Sequence, residues 1–259
     1  MDVTKYIVKD YITNLLKEGR RVDGRKYDEA RPIEVVKGYA KEKSSGSALV
    51  KLGDTQVIAG ISVGLGEPYS DRPTSGIMTT SAELRPIASP DFELGPPREN
   101  SVELARVVDR GIRESGCIDV DKLFIEENKV WTVFIDLHMM DNHGNLIDAS
   151  ALAAMAALLD ARMPKLEDGK IISGEWDGKL PITCTPIPLT FAKIADTIIA
   201  DPNMQEEYAL DARLTITTTE KEVNAMQKGG EGRFTIAEAE DLIDKAFKSA
   251  KQVRKKIES

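Results

Sequence analysis

Val130-Trp131-Thr132-Val133-Phe134-Ile135-Asp136-Leu137-His138-Met139, a turn at Asn142-His143-Gly144-Asn145, and a helical run from Asp148 to Arg162 decide the architecture of this chain. The first run is β-branched and aromatic, which suits a pleated strand. The last contains seven alanines in the thirteen residues from Ala149 to Ala161. Such small side chains let a helix approach a sheet closely, so a long strand turning into a buried helix is expected.

Toward the N-terminus, Asp2 to Glu18 reads as a helix with Ile7, Tyr11, Ile12 and Leu15 on one face and Gly19 ending it. Arg20 to Arg25 forms a turn around Asp23-Gly24. Ser47 to Leu52 and Gln56 to Val63 flank Gly53-Asp54-Thr55 as a hairpin. Gly64 to Ser75 reads as a loop, Ile77 to Leu84 as a strand, and the proline-rich Pro86 to Pro97 as an extended loop. Glu99 to Ser115 is helical. After Pro164 the pattern restarts, with strands at Ile182 to Phe191, Thr197 to Ala200 and Ala209 to Thr218, and another near Val223. Thr235 caps a last amphipathic helix. Strands followed by a helix, twice over, predict an α+β protein of two lobes with mixed sheets and packed helices. The expected boundaries are 1–30 for the first helix and turn, 31–165 for the first lobe and 166–259 for the second.

The 259 residues carry a net charge of −8, so the surface as a whole does not attract nucleic acid, although a local basic groove is compatible with it. Cys117 and Cys184 lack metal-type spacing and suit a reducing compartment. His138 and His143 are too few for a zinc site with them. The first residues lack a signal-peptide core and no run is long enough to span a bilayer, so a cytoplasmic protein with no membrane contact is expected. Lys228-Gly229-Gly230-Glu231-Gly232 lacks a P-loop ending and reads as a mobile turn.

Arg106, Arg110 and Arg113 fall at i, i+4 and i+7, so at about 100° per residue they share one narrow helix face. Leu104, Val107, Val108, Gly111 and Ile112 fall on the other. Taken alone, the arginines fit a solvated face with Asp109 and Glu114 as ion-pair partners. Arginine rather than lysine at all three positions also suits bidentate phosphate contact.

Several stretches together resemble the RNase PH family. They are Arg21-Val22-Asp23-Gly24-Arg25, Gly46 to Gly53 with the strand after it, and Phe92-Glu93-Leu94-Gly95-Pro96-Pro97 leading into Glu103 to Arg110. Asp148 to Leu159 and Met226 to Gly230 add to the likeness. In combination they look like the non-catalytic RNase PH-like subunit of the archaeal exosome. The resemblance implies an RNase PH-like fold: a ribosomal protein S5 domain 2-like lobe plus a smaller C-terminal α/β lobe. It implies a ring of three heterodimers with a catalytic RNase PH-like subunit, S1/KH-type RNA-binding cap subunits, and single-stranded RNA as ligand. Inorganic phosphate and Mg²⁺ would act at the partner's site, and this chain would hold no cofactor or metal. Arg106, Arg110 and Arg113 match the arginines through which that subunit contacts RNA.

Active family members place a hydroxyl residue and then an arginine before the alanine-rich helix. Here Leu146 and Ile147 stand there, followed by Asp148, which reads as the helix cap. No catalytic residue is expected. Asp201 and Glu207 keep the six-residue spacing of the family's acidic pair, and would otherwise be an exposed acidic segment after a turn. That pair sustains the alternative, an active phosphorolytic exoribonuclease.

Overall fold

The computed structural model describes residues 3–40, 42 and 44–259, with side chains from Ile7 onward. The chain begins with α1 (Val3–Lys17) and then builds a six-stranded sheet. Its strands are β1 (Ile33–Lys37), β2 (Gly46–Leu52), β3 (Thr55–Gly66), β4 (Ile77–Glu83), β5 (Phe124–Glu126) and β6 (Lys129–Asp141). The path runs β1-β2-β3-β6-β4, with β5 also on β6, and only β4 lies parallel to its neighbour. Alternation along β6 buries Val133, Ile135, Leu137 and Met139 and leaves Phe134 40% exposed, so one face of the sheet is covered and the other open.

Two helices cover that face: α2 (Glu99–Glu114) and α3 (Leu146–Asp160). The low side-chain bulk of α3 has the expected effect. Ala149, Ala153, Ala154, Ala156 and Ala157 are fully buried, and a Cβ on Gly46 of β2 would sit 2.5 Å from the Ala157 carbonyl oxygen. Helix and strand therefore touch at backbone distance. With apolar residues all round, α3 is buried on every side. It also packs on the second sheet, which makes it the common core of both lobes.

A hairpin, β7 (Arg162–Glu167) and β8 (Lys170–Lys179), leads to the second sheet. That sheet comprises β9 (Ile187–Ile194), β10 (Thr197–Ala200), β11 (Ala212–Thr218) and β12 (Val223–Gly230) in the order β10-β9-β11-β12. The short helix α4 (Met204–Ala209) intervenes, and α5 (Ile236–Glu258) ends the chain. Phe191, Leu214 and Ile216 face Leu242 and Ala246 of α5. Ala192, Ile194 and Ile199 pack instead against Ile12 and Leu16 of α1 and Ala209 of α4. The first helix therefore belongs physically to the second sheet. Thr235 caps α5 in a reciprocal capping box with Glu238.

The α+β class with two sheets and packed helices matches the sequence reading; several details do not. The buried face of α1 is Val8, Ile12 and Leu16, whereas Ile7 and Tyr11 are 66% and 55% exposed. Asp2 lies outside the described residues. The β7–β8 hairpin and α4 are absent from the sequence reading, because exposed charged strands and a six-residue helix carry no clear hydrophobic period. The strand expected from Ile182 starts at Ile187, after Ile182 makes only an isolated bridge to Ile118. Lys228-Gly229-Gly230 is no mobile turn; it closes β12, with Gly230 at φ +79° and Gly229 packed on the Arg213 side chain.

Candidate functional site

Helix α2 presents its arginines as the spacing predicts. Leu104, Ala105, Val108, Gly111 and Ile112 are buried, Val107 is half-buried, and Arg106, Arg110 and Arg113 are exposed. The three guanidinium groups line a groove of about 850 Å³ between α2, β4 and β12, which Thr80, Thr217 and Gln227 also line. They are not equivalent. Arg113 donates to both Asp109 carboxylate oxygens at 2.9 Å and to the Met78 carbonyl at 2.9 Å. The hydrogen bonds to Asp109 raise the Arg113 pKa further above its ordinary value, against a burial penalty. Arg106 and Arg110 have no hydrogen bond or ion pair among the described residues, so their donor forks are free. The expected pairing of Arg110 with Glu114 does not form. Of the carboxylates at the groove, Asp109 is engaged with Arg113 and Thr80 and Glu103 with Arg213 at 2.5 Å, whereas Glu99 and Glu114 line it without a partner among the described residues. The groove thus offers two uncommitted forks on a rigid helix, the geometry that phosphate oxygens require.

The loop before α3 has the opposite character. The helix begins two residues earlier than its sequence pattern suggests, and its cap is Asn145, in left-handed backbone, whose side chain accepts from the Asp148 N–H. Asp148 is therefore in the first turn. Its buried carboxylate accepts from the Thr190 N–H at 2.9 Å, the Thr190 hydroxyl at 2.7 Å and the Asn145 amide at 2.8 Å. Burial pushes its pKa up to about 6, although those donors and the nearby Asp201 charge act in opposite directions on it. Ile147 is 7% exposed and packs into the core rather than toward a ligand. At Gly144, φ is +92° and an added Cβ would lie 2.5 Å from Asn203 and Met204 backbone, so the loop is closed against the start of α4.

Asp201 explains how that closure is held. Its side chain is 5% exposed and accepts five donors. They come from Arg25 at 3.0 Å, the Arg31 backbone and side chain at 2.7–2.9 Å, and Asn145 at 2.8 Å. Burial alone would raise its pKa, but the Arg31 hydrogen bonds and charge outweigh it and hold the carboxyl below its usual range. Arg31 also donates to the His143 and Gly144 carbonyls. Glu207 spends one oxygen on the Asn145 N–H at 2.8 Å, and burial raises its pKa. Asp201 and Glu206 are thus buried and Glu207 is half-buried, correcting the exposed acidic segment of the sequence reading. Among the described residues no histidine, cysteine and carboxylate cluster has metal-site form.

A second buried pair locks the same region. Arg21 donates to both Glu206 oxygens at 2.8 and 2.7 Å, with both side chains fully buried. Its remaining N–H groups reach the carbonyls of Lys26, Glu29, Ala200 and Asp201. The sequence places Arg21 and Arg25 in a turn and in a family-like motif, and gives no sign of Arg31 or Glu206 as partners. The paired residues lie 170 to 185 positions apart, a separation no local pattern spans.

Models of the 3′ exoribonuclease family match residues 29–164 as RNase PH domain 1 and 184–249 as domain 2. The chain belongs to the RNase PH family. Within that family it is 51% identical over 261 residues to the exosome complex component Rrp42 of Thermococcus gammatolerans, covering 98% of this chain and 95% of that one. A solved structure described as the Archaeoglobus fulgidus exosome with RNA bound to the active site matches with TM-score 0.92 and 45% identity, over 98% of this chain and 99% of the other. An archaeal exosome core matches with TM-score 0.88 and 41% identity, over 99% and 98%.

Proposed function

We propose that this RNase PH-family chain is a non-catalytic subunit of an archaeal exosome that holds single-stranded RNA beside a catalytic RNase PH-like partner. The observation that carries the reading is the caged carboxylate of Asp201. Where phosphorolysis needs positive charge and free N–H groups converging on a phosphate dianion, this loop brings Arg25, Arg31 and Asn145 onto an internal carboxylate instead. Ile147 supplies no guanidinium, and the neighbouring Asp148 and Glu207 side chains bring no positive charge either. These features do not favour the alternative of an active phosphorolytic exoribonuclease.

RNA would run along α2, with Arg106 and Arg110 as phosphate contacts and Arg113 as a weaker third, because most of its donors are already used. Inorganic phosphate and Mg²⁺ would act at the partner's site. The edge strands β4 and β12 border the same groove and would be covered in a ring of three heterodimers, with S1/KH-type subunits as caps. No helix among the described residues is long and apolar enough to cross a membrane, in keeping with a cytoplasmic role.

The test is phosphorolysis by the isolated chain. With RNA, phosphate and Mg²⁺ it should release no nucleoside diphosphates, and it should form a ring of six in native mass measurement once the catalytic subunit is added. Robust product release without the partner would establish the alternative.

A further inference from the structure

A second groove, of about 800 Å³, shares no residue with the arginine groove and lies at the opposite edge of the second sheet, beside β10 rather than β12. Its floor is apolar: Ile33 of β1, Leu189 and Phe191 of β9, Ile198 of β10 and Val253 of α5, with Tyr27 beside Lys26. Lysines stand on both walls. Lys26 belongs to the turn before β1, and Lys245, Lys248 and Lys256 belong to α5. All four are exposed, and Lys26, Lys248 and Lys256 have no ion pair among the described residues, while Lys245 pairs with Asp241 at 2.7 Å.

The charge is not explained by helix electrostatics. Cations stabilise a helix C-terminus only within its last turn. That accounts for Lys255 and Lys256 of a helix ending at Glu258, but not for Lys245 and Lys248, two or more turns earlier, nor for Lys26 on another segment. A lysine-walled groove in a chain of net charge −8 is a local reversal of sign. Asp28 and Glu29 also line it, and Glu29 is turned back onto the Lys26 N–H at 3.1 Å.

We propose that this groove docks an extended acidic polypeptide segment of a partner protein, with aliphatic side chains on the floor and carboxylates between the two lysine walls. The floor decides between polypeptide and nucleic acid. RNA engages basic grooves through stacking on aromatic or arginine planes. Here the two aromatic residues that line the groove are occupied, Phe191 being buried and Tyr27 packed against Ile12 and Leu16 with its hydroxyl on the Leu16 carbonyl, and the one arginine, Arg31, is committed to Asp201. Lysine suits the role because its stem covers apolar surface while its ammonium reaches a carboxylate as a point charge. The groove's size is in the range that takes a short segment.

The experiment uses fluorescence anisotropy on the full chain with three probes: a labelled peptide of alternating Glu and Leu, the same peptide with Gln for Glu, and a single-stranded oligouridylate. The Glu–Leu peptide should bind with an affinity that falls as salt rises. Lys26→Glu/Lys248→Glu/Lys256→Glu should weaken it at least tenfold and leave oligouridylate binding unchanged. The neutral variant Lys26→Gln/Lys248→Gln/Lys256→Gln should give an intermediate loss, and it keeps the test open should the Glu variant fold poorly. Peptide binding that is absent, equal for the Gln peptide, or indifferent to the neutral variant would overturn the proposal. So would a loss of oligouridylate binding with no loss of peptide binding.

Discussion

Two sets of arginines in this molecule have the same chemistry and opposite circumstances. Arg21, Arg25 and Arg31 lie in the protein with their donors spent on Glu206, Asp201 and backbone carbonyls. Arg106 and Arg110 lie in the open with no partner among the described residues, and Arg113 is intermediate. A guanidinium thus acquires function from whatever part of it remains unsatisfied. The first set encloses an internal anion and cements two lobes; the second is available for an external one.

The largest effect should come from breaking the cage. Arg21→Ala would leave the fully buried Glu206 carboxylate with only Arg25, 4.0 Å away, as a charge partner, and losing one member of a buried pair costs about 3–5 kcal/mol. Denaturant unfolding should show a loss of that order. A shift below about 1 kcal/mol would mean that the pair is not a structural lock.

The next effect probes the enclosed region from its acidic side. The folded pKa of Asp148 lies above the ordinary carboxylate value, so between about pH 4 and pH 6 the folded chain binds more protons at this residue than the unfolded one. Its contribution to stability therefore falls as pH rises through that window and is lowest above it. Asp201, held below its usual range, works in the opposite direction and loses its contribution on acidification. Asp148→Asn should remove only the first slope. Relative to wild type, the variant should gain on the order of 3 kcal/mol between about pH 4 and pH 7 in urea titrations. Parallel profiles for the two proteins would show that Asp148 does not titrate in this window.

A smaller effect separates the members of the exposed stripe. Arg113→Ala leaves Asp109 without its ion pair at a half-exposed site, and should cost no more than about 1 kcal/mol of stability. Its effect on RNA affinity should be less than that of Arg106→Ala, measured by salt titration of binding. The reverse order would show that the Asp109 pair opens to engage phosphate.

Sequence and structure agree where local chemistry decides. Alanine content foretells the close packing of α3, and the i, i+4, i+7 spacing foretells the arginine face of α2. The cap of α3 is another matter. Asp148 carries the usual capping side chain, whereas Asn145 caps the helix from left-handed backbone that only the loop's closure against α4 enforces. The burial of Asp201 and Glu206 is illegible for the same reason. Both are charged residues in a polar segment, and their charge partners are arginines from the far end of the chain.

The decisive measurement is RNA degradation by the complex reassembled with Arg106→Glu/Arg110→Glu. Both side chains are exposed and unpaired, so the substitutions should leave folding within about 0.5 kcal/mol of wild type. The ring should assemble. Removing each phosphate interaction should flatten the salt dependence of RNA binding by up to about one unit of slope, and the introduced repulsion should lower affinity further. An RNA-holding role for α2 predicts an intact ring with sharply reduced release of nucleoside diphosphates. An intact ring degrading RNA at the wild-type rate across a range of salt concentrations would contradict that role, and Arg106 and Arg110 would then be ordinary surface charges.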